Sequence, residues 1–162
     1  MKAARIHEDG GPEVLRYEDA PDPVPGAGQV LIELRAASLN HLDIWVRKGL
    51  PSVAKPRILG ADGAGVVLSG DGFQPGDRVV INPGLDHGDG RVTVVGEHTD
   101  GTHAELISVP RSQVYPLPDG LAPTLAEDLS RLDLDDEGEG STAHLIEGAL
   151  VDRHAGRVAG TR

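Results

Sequence analysis

Short apolar runs, broken every few residues by Gly, Pro or Asp, fill the chain from residue 1 to about 118. This is the rhythm of a β barrel or sandwich. Within 29–36, Val30, Ile32, Leu34 and Ala36 fall on one face and Glu33 and Arg35 on the other, the two-residue period of a half-buried strand. Comparable runs predict strands over 1–7, 14–17, 63–68, 78–82, 91–95, 104–109 and 113–115. The Pro-rich run 21–26 and the Phe-Gln-Pro-Gly-Asp run 73–77 supply the fixed φ and the Gly freedom that turns need. One helix interrupts the strands, over 42–48. Asn40 stands at its cap, Asp43 sits three residues on, and Gly49 ends it.

Beyond Pro118 the pattern changes. Residues 121–132 carry Leu and Ala at helical spacing, 133–140 is an acidic run with Gly, and 142–150 reads as a second, weaker helix before a basic end. The expected architecture is therefore a mainly β domain over 1–120, with one short helix, followed by a helical or partly disordered tail over 121–162.

Composition narrows the function classes. With 162 residues the chain can build one domain core, short of what a barrel plus a second nucleotide-binding fold requires. Tyr17, Trp45, Phe73 and Tyr115 are its aromatic residues, so aliphatic side chains must fill the core and few rings are left to stack on bases. A net charge of -11 repels phosphate backbones and anionic lipids, which argues against nucleic-acid and membrane partners. The absence of Cys excludes disulfides and thiolate metal sites. The first residues lack an apolar run, so a cytoplasmic location is expected.

Three ordered blocks carry a resemblance. They are 1–49, with the run Asn40-His-Leu-Asp43-Ile-Trp45-Val-Arg47; 56–67, Pro-Arg-Ile-Leu-Gly-Ala-Asp-Gly-Ala-Gly-Val-Val; and Pro-Gly-Asp-Arg-Val-Val-Ile-Asn-Pro-Gly over 75–84, followed by 100–121. Together they resemble the GroES-like front half of the medium-chain dehydrogenase/reductase superfamily, and especially its zinc-free, quinone-oxidoreductase-like members. The resemblance implies a partly open β barrel on the substrate side of a cleft, with NADPH held by a second domain. In zinc-dependent relatives the position of Asn40 is a Cys ligand, and the His of their Gly-His-Glu motif falls on Ala61. An amide and a methyl do not replace a thiolate and an imidazole. No zinc is expected at that site. None is expected in the relatives' four-Cys lobe either, which has shrunk here to 85–99 without Cys.

The resemblance makes Asn40, Asp43, Trp45, Arg47 and Asp62 the candidates for the substrate and nicotinamide side, where they would orient a flat carbonyl. No residue is assigned a catalytic role. Asn40 and Asp43 also stand where a capping box would put them. For Asn40 both readings are open, and for Asp43 the cap is preferred. The run Gly60-Ala-Asp-Gly-Ala-Gly65 leads into a predicted strand, which suits close barrel packing better than a phosphate cradle. His87, Asp89, His98 and His103 lie in or beside the shortened lobe at irregular spacing, as a polar loop would, with His103 on a strand where relatives carry an aromatic. Ala143-His144 and Gly156-Arg157-Val158 echo the closing helix and strand of the same superfamily.

The expectation is a truncated, zinc-independent oxidoreductase. It would be NADPH-dependent by resemblance, with no cofactor-binding residues of its own, and inactive without a nucleotide-binding domain in trans. Loss of that domain would expose the cleft face to self-association. The rival expectation is a non-catalytic GroES-like binding module or an inactive remnant.

Overall fold

The computed structural model describes residues 1–118 and two short strands near the C-terminus, Val151–Asp152 and Arg157–Val158. In chain order the strands are β1 (Lys2–Ile6), β2 (Leu15–Asp19), β3 (Gln29–Ala37), β4 (Arg57–Ile58), β5 (Gly63–Gly70), β6 (Arg78–Ile81), β7 (Gly84–Asp86), β8 (Val92–Val94), β9 (Leu106–Pro110) and β10 (Val114–Pro116). The helix α1 spans His41–Arg47, between β3 and β4. Five strands form one open antiparallel sheet in the order β10-β6-β5-β3-β9, and β2-β1-β4 form a second. The two meet where β1 turns to the segment before β9: Ala3 bridges Ala104, Ala4 donates to the His103 carbonyl and Glu105 to that of Lys2. This is the mainly β, partly open fold with one short helix that the sequence implies.

Alternation decides which side of the large sheet is core. Val30, Ile32 and Leu34 of β3 are buried, and they join Val67, Val79, Ile81, Val95, Ile107, Val109 and Val114 in one aliphatic cluster. On the other face of β3, Arg35 and Glu33 pair at 2.8 Å. A second cluster packs α1 onto the small sheet through Val46, Ile6, Val14 and Leu59. A seven-residue helix gains little from its own hydrogen bonds, so Val46 and the side chains around it hold α1 in place.

Glycine matters most in β5. A Cβ on Gly65 would run into the Glu33 carbonyl and come within 2.8 Å of Ile32 Cγ2. The Gly60–Gly65 run thus serves close strand packing, and it continues into β5 rather than a helix.

Several expected boundaries move for local reasons. The strand expected over 14–17 begins one residue later, because Pro12–Val14 forms a 3-10 turn that sends Val14 into the core. Residues 103–105 bond to β1, so β9 starts at Leu106 instead of 104. Arg91 stays in the loop, paired with Asp89 at 2.8 Å, and leaves β8 with three residues. The strands β4 and β7 have two and three residues and lack a readable period. In the tail, Val151–Asp152 pairs antiparallel with Arg157–Val158, while Ala143-His144 and Gly156 lie outside the described residues. The helices expected over 121–132 and 142–150 and the acidic run 133–140 lie outside the described residues.

Gly65→Val should lower stability by about 1–3 kcal/mol through overpacking, read from the urea midpoint. Gly26→Ala, whose added Cβ meets its nearest neighbour, Gln29 Oε1, at 3.6 Å, should change it by less than about 0.5 kcal/mol.

Candidate functional site

Two loops and the start of α1 converge on a pair of carboxylates. Asp43, 2% exposed, accepts from the Asn40 backbone N–H at 2.7 Å through Oδ2 and from the Gly60 N–H at 2.7 Å through Oδ1. The first bond closes the capping box of α1. The second ties the helix to the turn before β5. Asp62 Oδ2 accepts from Asn40 Nδ2 at 2.5 Å and from Ser38 Oγ at 3.1 Å, while the Asp62 carbonyl accepts from Thr102 Oγ1 at 2.8 Å. His103 Nε2 donates to the Ser38 carbonyl at 3.0 Å, which fixes a proton on that nitrogen because a carbonyl only accepts.

Asn40, Asp43 and Asp62 are therefore brought together: the Asn40 backbone joins the cap of α1, and its side-chain NH₂ donates to Asp62. Asp43 is the cap expected of it, with a second bond to Gly60 that its sequence position did not announce. Trp45 and Arg47 stand apart from this cluster. The Trp45 ring is 55% exposed and lies 6.2 Å from the His41 ring, on the outer face of α1. Arg47 is on the buried face, one turn after Asp43.

Ser38, Thr102 and His103 complete the cluster and were not singled out for it. His103 departs from its expected place: it lies in the loop before β9, and its ring makes a polar contact in place of an aromatic packing role. Of the other lobe residues, His87 bonds Thr93 Oγ1 at 3.1 Å, and His98 Nδ1 accepts from the Val94 N–H at 3.1 Å. Among the described residues no three His, Asp or Glu side chains gather as a metal-binding group. A groove of about 380 Å³ opens elsewhere, between Met1, Arg5, Ile58, Asp100 and Leu106, and no candidate residue lines it. The candidate site rests on its hydrogen bonds, not on that groove.

Burial pushes the Asp43 carboxyl above the usual carboxylate range, with nearby Asp62 adding to the shift. The adjacent His103 and the two backbone N–H groups pull it back only in part. In the fold this group takes up its proton at higher pH than in the unfolded chain. Its contribution to stability is thus present at low pH and is lost as pH rises through the folded value.

Residues 26–119 match the alcohol dehydrogenase GroES-like domain. The chain belongs to the medium-chain dehydrogenase/reductase superfamily. Mouse quinone oxidoreductase is 35% identical over 128 residues, covering 75% of this chain and 34% of that protein. The crystal structure of an NAD-dependent alcohol dehydrogenase superposes with a TM-score of 0.72 at 44% identity, over 76% of this chain and 41% of the other. A dehydrogenase from Sinorhizobium meliloti, solved with NADP bound, gives 0.70 at 26% identity, over 87% and 47%. The matched part thus spans about a third of the curated relative and under half of the solved ones.

Asp43→Asn should cost about 1–3 kcal/mol, because the new NH₂ faces an N–H that loses its acceptor; thermal unfolding reads it. A carbon-detected NMR titration should place the Asp43 carboxyl above an ordinary Asp. His103→Phe should move it further up, by removing a neighbour that favours the charged form.

Proposed function

We propose that this chain provides the substrate side of a zinc-independent, NADPH-dependent reductase of small carbonyl or quinone-like compounds, and that it acts only with a nucleotide-binding domain. The observation that carries this reading is the Asn40–Asp62–Ser38 constellation. Where zinc-dependent members hold the metal with sulfur and imidazole, this chain has an amide whose NH₂ is given to a carboxylate, and a methyl at Ala61. That donor set does not fit zinc. It fits a fixed polar wall: Asp62 Oδ2 holds both Asn40 Nδ2 and Ser38 Oγ, so the amide is oriented before any ligand arrives. The remaining Asn40 Nδ2–H is suited to donate to a carbonyl oxygen without reorganisation.

NADPH would supply the hydride. The described residues do not fit its phosphates, since the one Gly-rich turn runs from Gly60 into β5 without opening a helix. The nucleotide is then held outside the described residues. Leu39, Trp45 and Leu50 lie exposed in and beside α1. Such a face supports docking of the second domain or, in its absence, self-association. Cysteine-free composition and a charge of -11 fit a cytosolic setting without nucleic-acid or membrane partners. Among the described residues no helix is long and apolar enough to cross a membrane.

Calorimetric titration of the isolated chain with NADPH should give no saturable binding in the micromolar range; saturable micromolar binding would refute the need for a second domain. By sedimentation velocity the chain should self-associate, and Trp45→Ser should shift it toward monomer. A monomer for both proteins would count against the cleft face as the contact.

A further inference from the structure

Four polar side chains are buried among the described residues: Asp43, Arg47, Thr102 and Gln113. Three are satisfied. Asp43 takes two backbone N–H groups, Thr102 donates to the Asp62 carbonyl, and Gln113 Nε2 reaches the carbonyls of Asn82 and Pro83 at 2.9 and 3.2 Å. Arg47 is the exception. It is 8% exposed, and among the described residues no hydrogen bond or ion pair reaches its guanidinium. Its natural helical partner would be Asp43, four residues earlier on the same face. Both oxygens of that carboxylate are already committed to backbone.

Among the described residues, the one buried side-chain N or O atom sealed from solvent without a partner is Arg57 Nε. The Arg47 nitrogens therefore keep access to solvent at the end of a packed stem. Burying a cation without an acceptor is costly. Its stem is already ordered, so a ligand that pairs with it loses little conformational entropy on binding. The five donors of a guanidinium form a planar fork, and the acceptor that matches it is a carboxylate, taken through two parallel bonds.

We infer that Arg47 is an anion anchor on α1, and that the compound bound there carries a carboxylate. That this compound is a substrate rests on the function proposed above; the anion site rests on Arg47 alone. It also runs against the overall charge of -11, which disfavours adventitious anions.

The test is an NMR titration of the wild-type chain, following the Arg47 Nε–H resonance at constant ionic strength. The probes are pyruvate, acetate, neutral methyl pyruvate and inorganic phosphate. Pyruvate and acetate should shift the resonance saturably, and methyl pyruvate should leave it in place. Arg47→Gln, followed at the Gly10 amide that donates to the Arg47 carbonyl at 2.9 Å, should weaken pyruvate binding about tenfold or more. Arg47→Lys should weaken it less. Should Arg47→Gln fail to fold, the wild-type titration and Arg47→Lys decide. No shift with either carboxylate, or an equal shift with methyl pyruvate, overturns the proposal. Saturation by phosphate alone overturns the carboxylate assignment. None of these outcomes depends on NADPH, so a failed cofactor reading and a failed anion site are told apart.

Discussion

The Asp43 carboxylate is the tie on which the cleft depends. Its two oxygens bind the N–H groups of Asn40, three residues before it, and of Gly60, seventeen residues after it. One bond ends the unpaired donors at the start of a seven-residue helix, which could not persist on its own hydrogen bonds. The other fixes a turn whose Gly60 has φ +99 and whose added Cβ would meet Thr102 Oγ1 at 2.5 Å and His103 Cδ2 at 2.6 Å. Helix, turn and the segment before β9 are thus locked through one side chain. The upward shift of the Asp43 pKa records the cost: burial disfavours the charged form, and the two backbone donors pull the shift back only in part.

From that tie the polar wall follows. Holding the Asn40 backbone sets where its amide points, and the amide meets Asp62, which also gathers Ser38. His103 then bonds the Ser38 carbonyl, so both ends of the loop between β3 and α1 are fixed. Hydrogen bonds join the neighbouring loops, with the Thr102 hydroxyl on the Asp62 carbonyl as a further link.

The fold was readable wherever a period could be heard. β3 announces itself through Val30, Ile32 and Leu34, and α1 through Asn40, Asp43 and Gly49. Strands of two or three residues carry no period, so β4 and β7 were silent. Of the site, Asn40, Asp43 and Asp62 were legible because local motifs contain them. Ser38, Thr102 and His103 were not, since their roles arise from contacts across 24 to 65 residues. A His where an aromatic is expected looks like packing until the Ser38 carbonyl is seen opposite it. Arg47 is the inverse case: a charged residue at i+4 from an Asp reads as half of an ion pair, and only the two backbone bonds of Asp43 reveal that the pair is not made.

The helix α1 therefore has two unlike faces. Inward, Asp43 and Val46 are fully used by the fold while Arg47 is left with donors to spare. Outward, Trp45 stands in water, with Leu39 and Leu50 exposed beyond the helix ends. A domain covering the outer face would remove that apolar surface from water and lower the dielectric around the cleft, which strengthens every polar contact already set in it. The cluster needs no such domain for its own geometry, because Asp43 and Asp62 are satisfied within the chain.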